Sequence, residues 1–423
     1  MKFLRIASCL VLFVAGFSPA LAADRLSPSV RALVSADEPL KVAVDRGFAV
    51  RDGRVQVVVL ATQAGVGHVE RWLTDRGARF VFAYGDRIQA FVPPDLVAEL
   101  EGRADVLEVE RPLYARPPEP VPPAAAARPK LLAVTSEGVE PINVPAWHAE
   151  GFAGEGLKIG VIDVEFGGWD DLLGVELPPA GRTTYRAFGG SSAAADQVHG
   201  TACAEIVHDV APDADLFLAH IRTLGDFYAS LDWMATEGVD VVTMSVGWFG
   251  AGPGDGTGNS ADRVNAFVAA ADALFFTSAG NERRSHWQGA SADADADGWV
   301  DFEPGDNLNE LVSTMAADDR VAVSMVWSDW DSPSSDYSLH LFRLDGTEWV
   351  QVAVSDRPQT GLSHQTPYEQ ISHTTPDGGL FAVRIGRDQV VGTHDLELFS
   401  ADSDLVNRVA SGSLTIPADA ERV

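Results

Sequence analysis

Three residues of this chain combine side-chain type and setting in a way that could hydrolyse an acyl bond. Asp163 closes the apolar run Leu157-Lys158-Ile159-Gly160-Val161-Ile162, and His199 opens the segment His199-Gly200-Thr201-Ala202-Cys203-Ala204. Asn281 ends Ser278-Ala279-Gly280-Asn281, just after the apolar stretch Leu274-Phe275-Phe276. In hydrolysis by a serine, a histidine removes the nucleophile's proton, while a buried aspartate fixes its tautomer and stabilises the imidazolium. A side-chain amide can then donate to the oxyanion of the tetrahedral intermediate. His208, His220 and His286 read as structural. Cys203 reads as a small buried apolar residue, open to mercurials and not a nucleophile.

A second group could hold a cation. Asp293-Ala294-Asp295-Ala296-Asp297-Gly298 has acidic residues at positions one, three and five of a calcium loop, glycine at six and Asp301 at nine. Such a loop needs a bidentate glutamate at twelve, where this chain has Pro304, so an EF-hand is excluded. The competing readings are an irregular structural Ca2+ site on Asp293, Asp295, Asp297 and Asp301, and a solvated acidic turn. No cofactor is required for the chemistry itself.

Alternation of apolar residues predicts the elements that must position these groups. From Arg54 to Pro112 the order is β-α-β-β-α-β: strand 55–60, helix 69–76, a hairpin 79–84 and 87–92, a helix from Pro94, and strand 106–109. That is a ferredoxin-like α+β arrangement. Arg116-Pro117-Pro118-Glu119-Pro120-Val121-Pro122-Pro123 has the composition of a semi-rigid tether. From about Leu131 strands (157–162, 214–219, 241–244, 274–278) alternate with helices (199–210, 228–237, 262–273), which predicts a doubly wound parallel sheet with its site at the strands' carboxyl ends. After about Ala290 short strands follow one another (321–327, 337–344, 349–355, 380–386, 394–400), with Val350, Val352 and Val354 on one face and Phe381, Val383 and Ile385 on another. This predicts an all-β sandwich, inserted because Ser411–Val423 reads as a return to the α/β layer. The expected division is 1–22 export signal, 23–112 N-terminal domain with its core at 54–112, 113–130 tether, 131–290 α/β domain, 291–408 sandwich and 409–423 α/β domain resumed.

Lys2 and Arg5, the apolar stretch Leu10–Phe17 and Ala20-Leu21-Ala22 form a signal-peptide pattern with cleavage after Ala22, so a secreted, extracellular or periplasmic protein is expected. No segment is long and apolar enough to predict a membrane span. The chain has 423 residues and a net charge of −30, which argues against nucleic acid as a partner and favours divalent cations. Removal of the signal leaves Cys203 as the only cysteine and excludes an intramolecular disulfide.

Taken together, the ordered segments around Asp163, His199 and Asn281 resemble the subtilisin-like serine proteases, and a cysteine four residues after the histidine is similar to the proteinase K branch. The resemblance implies a serine endopeptidase acting on peptide and protein substrates, with Asp163, His199 and Asn281 in the roles above. It implies that Ser245, Val246 and Gly247 line the specificity pocket and pair with substrate backbone. It also implies that the N-terminal domain is a prodomain, an intramolecular chaperone and inhibitor. The sequence departs from the family at Val164-Glu165, where a small residue and glycine are usual, and at Glu205, usually glycine. The family's nucleophile lies in a Gly-Thr-Ser-x-x-x-Pro segment that does not occur here. Ser413, four residues before Pro417, leaves too few residues for the helix that should follow. The expectation is a chain truncated before its catalytic serine and inactive alone. The alternative is a catalytically dead chain that binds peptide or glycan.

Overall fold

The computed structural model describes residues 25–115, 134–191 and 197–423. The expected export signal and most of the tether lie outside them.

The N-terminal unit opens with two short helices that the sequence reading did not assign, α1 (Pro28–Val34) and α2 (Pro39–Asp45), each with proline in its first turn, where no amide is needed. They bury Val30, Leu33 and Ala43. The two-residue β1 (Val50–Arg51) leads to β2 (Arg54–Ala61), α3 (Val66–Asp75), β3 (Arg79–Tyr84), β4 (Arg87–Val92), α4 (Pro94–Leu100) and β5 (Val106–Glu110). β2 pairs antiparallel with β1, β4 and β5, and β3 pairs with β4. The core is aliphatic, built on Val55, Val57 and Val59 of β2 with Val69, Leu73, Val97 and Leu100 from the helices.

The middle of the chain begins with α5 (Val144–Ala149) and then forms a five-stranded sheet. Its strands are β6 (Lys158–Asp163), β7 (Thr183–Ala187), β8 (Asp215–His220), β9 (Val241–Met244) and β10 (Leu274–Thr277). They lie in the order β10-β9-β6-β8-β7, and every pairing is parallel. The helices between them are α6 (His199–Val210), α7 (Leu224–Glu237) and α8 (Asn259–Ala271). The middle of β6, Ile159–Ile162, is free of polar side chains because both its faces are covered. Ile162 packs into the core beneath α7 and α8, whereas Ile159 and Val161 pack into the one beneath α6. Gly160 is required where α7 crosses this strand, since a Cβ there would lie 2.7 Å from the Met234 methyl. β7 and β8 lie to one side of β6, β9 and β10 to the other. The direction of winding therefore reverses between β6 and β9, and such reversals open a crevice at the strands' carboxyl ends.

β11 (His286–Ala290), β12 (Asn309–Glu310), β13 (Arg320–Trp327), β14 (Asp336–Asp345), β15 (Glu348–Ser355), β16 (Tyr368–Thr374), β17 (Phe381–Gln389) and β18 (Asp395–Ser400) build two antiparallel four-stranded sheets. Val321, Val323 and Met325 from one face Leu339, Leu341, Val383 and Ile385 from the other across one core. Val350 and Val354 point outward and are exposed. The chain then returns to the α/β layer. Ile416 and Trp248 exchange both backbone hydrogen bonds, at 3.0 and 3.1 Å, and Ala420 joins the core under α7 and α8. No helix among the described residues is long and apolar enough to cross a membrane.

Candidate active site

The two residues at the centre of the site come from strand end and helix start. Asp163 is the last residue of β6 and has no exposed surface. Its Oδ1 accepts from the backbone amides of Val164 (2.8 Å) and Glu165 (3.2 Å), which leaves Oδ2 for the imidazole. His199 is the first residue of α6, and its Nδ1 lies 2.8 Å from Asp163 Oδ2. The carboxylate thus fixes Nδ1 as the protonated nitrogen and leaves Nε2 to serve as a base. This hydrogen bond raises the pKa of His199 above the usual histidine value; burial opposes it, and the charges of Asp163 and Glu165 add to it.

The approach of helix to strand depends on residue 200. A Cβ at Gly200 would lie 2.5 Å from Asp163 Cβ and 2.8 Å from the Glu165 carbonyl oxygen, far inside contact distance. With glycine there, the Gly200 amide donates to that carbonyl at 2.7 Å and the Thr201 amide at 3.3 Å. The first amides of a helix have no partner within it. Here a remote loop supplies one, and the Glu165 carboxylate adds negative charge beside the His199 amide at 3.4 Å, where the helix dipole favours it. Glu165, noted in the sequence only as a departure, therefore helps to seat α6.

Cys203 lies one turn along α6. Burial pushes its thiol up to about 12, against a hydrogen bond with Ser245, so it is protonated and not nucleophilic near neutrality. His220 is buried beside Tyr185, whose hydroxyl lies 2.8 Å from Nδ1. Burial lowers its pKa to about 4, so it stays neutral. His286 is buried and donates from Nδ1 to the Val409 carbonyl at 3.0 Å. His208 lies near the end of α6, where burial lowers its pKa.

Asn281 follows β10 and is exposed, with Gly280 before it at φ 89°. Ser245, Val246 and Gly247 follow β9, Val246 and Gly247 being buried, and a Cβ at Gly247 would lie 2.4 Å from Thr415 Oγ1. Asp163, Ser245 and Asn281 thus stand at or just past the carboxyl ends of the adjacent strands β6, β9 and β10. Glu282, absent from the residues singled out in the sequence, is buried directly after Asn281. Its Oε2 has no hydrogen-bond partner among the described residues, and burial raises its pKa. The only sequence signal was a charge beside the candidate amide.

One edge of the crevice is already filled. The extended segment Leu113–Ala115 lies antiparallel to Arg222–Leu224, with Ala115 N donating to Arg222 O (2.7 Å) and Leu224 N to Leu113 O (3.1 Å). Trp248 Nε1 donates to the Leu113 carbonyl from the other side at 3.3 Å. Beside it, Gln89 of β4 donates to Asp226 Oδ1 (2.9 Å) and accepts from Thr223 Oγ1 (2.6 Å), all three side chains being buried.

Away from the crevice, Asp293, Asp295 and Asp297 bring carboxylate oxygens within 4.8 Å of one another. Asp301 stands outside that group, its Oδ2 accepting from the Ala294 amide at 2.9 Å. The three oxygens are hard donors of the kind Ca2+ takes.

Among solved structures, the chain is similar to the CspB protease of Clostridium perfringens, with 13% identity, 66% of this chain and 69% of that one covered, and a TM-score of 0.38. It is also similar to the epidermin leader peptide processing serine protease EpiP of Staphylococcus aureus, with 12% identity, 55% and 62% covered, and a TM-score of 0.33. No curated protein sequence matches it. The model of the subtilase family matches residues 154–375, just over half of the chain, and includes both Asp163 and His199. The chain belongs to the subtilase family of serine proteases.

Proposed function

We propose that this chain belongs to the precursor of an exported endopeptidase that cleaves peptide bonds with His199 as general base, Asp163 as its orienting carboxylate and Asn281 as oxyanion donor. The observation that carries the reading is the 2.8 Å contact of His199 Nδ1 with the buried Asp163 Oδ2. It prepares Nε2 to take a proton from a hydroxyl nucleophile. Ser245, Val246 and Gly247 form the wall against which substrate pairs.

The nucleophile in this proposal is a serine encoded beyond Val423. Ser413 fits poorly, since its Oγ donates to the Ala410 carbonyl at 3.3 Å in a loop that no helix follows. Exposed apolar side chains on the α/β unit also favour further chain. Leu274 and Phe276 of β10 are 58% and 57% exposed, and Ile206 and Val210 of α6 are exposed as well. Such side chains are costly to leave in water.

The N-terminal unit is proposed to be an inhibitory prodomain. Leu113–Ala115, lying between Arg222–Leu224 and Trp248, supports this, because an extended strand paired in a cleft is how a peptide substrate would lie. Asp293, Asp295 and Asp297 are proposed to bind a structural Ca2+, with no part in the chemistry.

The test is to read the coding sequence past codon 423 and to treat the longer product with a fluorophosphonate. An in-frame Gly-Thr-Ser-x-x-x-Pro whose serine takes the label is the expected result. A stop codon with no such segment downstream overturns the proposal and leaves a chain that can only bind.

A further inference from the structure

The N-terminal unit touches more than the crevice. On β5 the alternate residues Glu108 and Glu110 point to the same side, away from the Val109 side chain in the aliphatic core. Two like charges on one strand face would ordinarily stand in water. Here Glu108 and Glu110 are only 10% and 23% exposed, because Arg357 from the β-sandwich covers them and is itself 14% exposed. Its Nη2 donates to Glu108 Oε2 and its Nη1 to Glu110 Oε2 at 3.2 Å, so one guanidinium bridges both carboxylates.

Arg357 is presented from firm support. It lies on the connection between β15 and β16, and its backbone amide donates to Glu369 Oε1 at 3.0 Å. Glu369 is buried and also accepts from Ser355 Oγ and from Gln359 Nε2 at 3.4 Å. A long side chain held in this way pays less entropy than a free surface arginine when it pairs. A second point of approach lies nearby. At Gly47, φ is 73° and a Cβ would lie 2.0 Å from Arg320 Nη2, so the N-terminal unit comes against the start of β13.

We propose that the β-sandwich is a clamp on the N-terminal unit: Arg357 gives that unit a second, charge-dependent hold, separate from the segment in the crevice. The proposal rests on the reading of the N-terminal unit as a prodomain that is cleaved from the chain. Once the tether is cut, the unit can leave only by breaking both holds. Loss of Arg357 leaves two largely covered carboxylates with Arg87 as their remaining cation, whereas loss of the carboxylates leaves the guanidinium with Glu369 alone. Either change should speed departure by far more than removal of a surface ion pair would.

The experiment uses the full chain with a specific protease site placed in the tether, cleaved after folding, and follows loss of the labelled N-terminal unit. Arg357→Ala is expected to raise the dissociation rate by roughly 30-fold or more, as breaking a buried charge pair does. Glu108→Gln with Glu110→Gln tests the same contact from the other unit and is also expected to speed release. The triple variant, which removes all three charges of this contact, should dissociate more slowly than either. Single-side variants that leave at the wild-type rate, or effects that simply multiply in the triple variant, overturn the clamp. The dissociation rate needs no catalytic activity. Failure of the prodomain reading would show separately, as a released unit that does not inhibit peptide hydrolysis by the active product extended past Val423.

Discussion

His199 can accept a proton only while Nε2 is bare, and the carboxylate that orients the ring also favours its charged form. The hydrogen bond that His199 donates to Asp163 raises the pKa of His199, so hydrolysis should fall as pH drops through that raised value. The linked effect on stability has the opposite sense. A raised native pKa means the pairing stabilises fully below the ordinary histidine value and loses that contribution as pH rises through the native one. Titration of the His199 ring by NMR should give a value above about 6.5, and Asp163→Asn should lower it. A ring that titrates identically in both proteins would contradict the pairing. In the active product, Asp163→Asn should cost about 10^4-fold in kcat, since an amide in this position favours the wrong tautomer. Glu165→Gln should lower the pKa less, because the Glu165 charge adds less to it than Asp163 does.

The seat of α6 against β6 depends on a missing side chain. Gly200→Ala places a methyl 2.5 Å from Asp163 Cβ, and overpacking of this kind costs about 1–3 kcal/mol. Urea denaturation should show that loss; an unchanged midpoint would mean that the two elements are not so tightly joined. On the sandwich, burial pushes the Glu369 carboxyl up to about 8 against its donors. A raised carboxyl stabilises the fold at low pH and loses that contribution as pH rises through the native value. The melting temperature should therefore decline between about pH 4.5 and about pH 8 in the wild type, level off above that, and show no such decline in Glu369→Gln; parallel curves would contradict this. The same residue shows why β16 was not legible in the sequence. Tyr368-Glu369-Gln370-Ile371-Ser372-His373-Thr374 lacks an apolar period, because Glu369 is buried under polar donors and not against a core. Strands such as β6 and β17 were plain, since their burial is apolar. α7 begins four residues before the helix expected at 228–237, because Thr223 and Asp226 form a capping box, a signal present in the sequence. Asp163 and His199 were legible because each stands at an element boundary that the apolar pattern marks. The role of Glu165 was not, because it depends on a loop meeting a helix 34 residues away.

At the scale of the whole chain, a charge of −30 and a loop that gathers three carboxylates are the grounds on which a structural Ca2+ is proposed. Added Ca2+ should raise the melting temperature of the wild type and leave Asp295→Asn unmoved; no shift in the wild type would leave the loop a solvated turn. The α/β sheet, the sandwich and the N-terminal unit meet around the crevice, with Leu113–Ala115 lying along one of its edges. The sequence could order these elements but could not bring Gln89 to Asp226 or Arg357 to Glu108, since those contacts join residues far apart in the chain. The central claim is that the Asp163–His199 pair drives peptide hydrolysis. Its most direct test is cleavage of an unfolded protein substrate by the gene product carried past Val423, compared with the same product bearing His199→Ala and shown by circular dichroism to be folded. The account predicts cleavage by the first and a loss of several orders of magnitude in the second. Equal cleavage by both, or none by either, would contradict it.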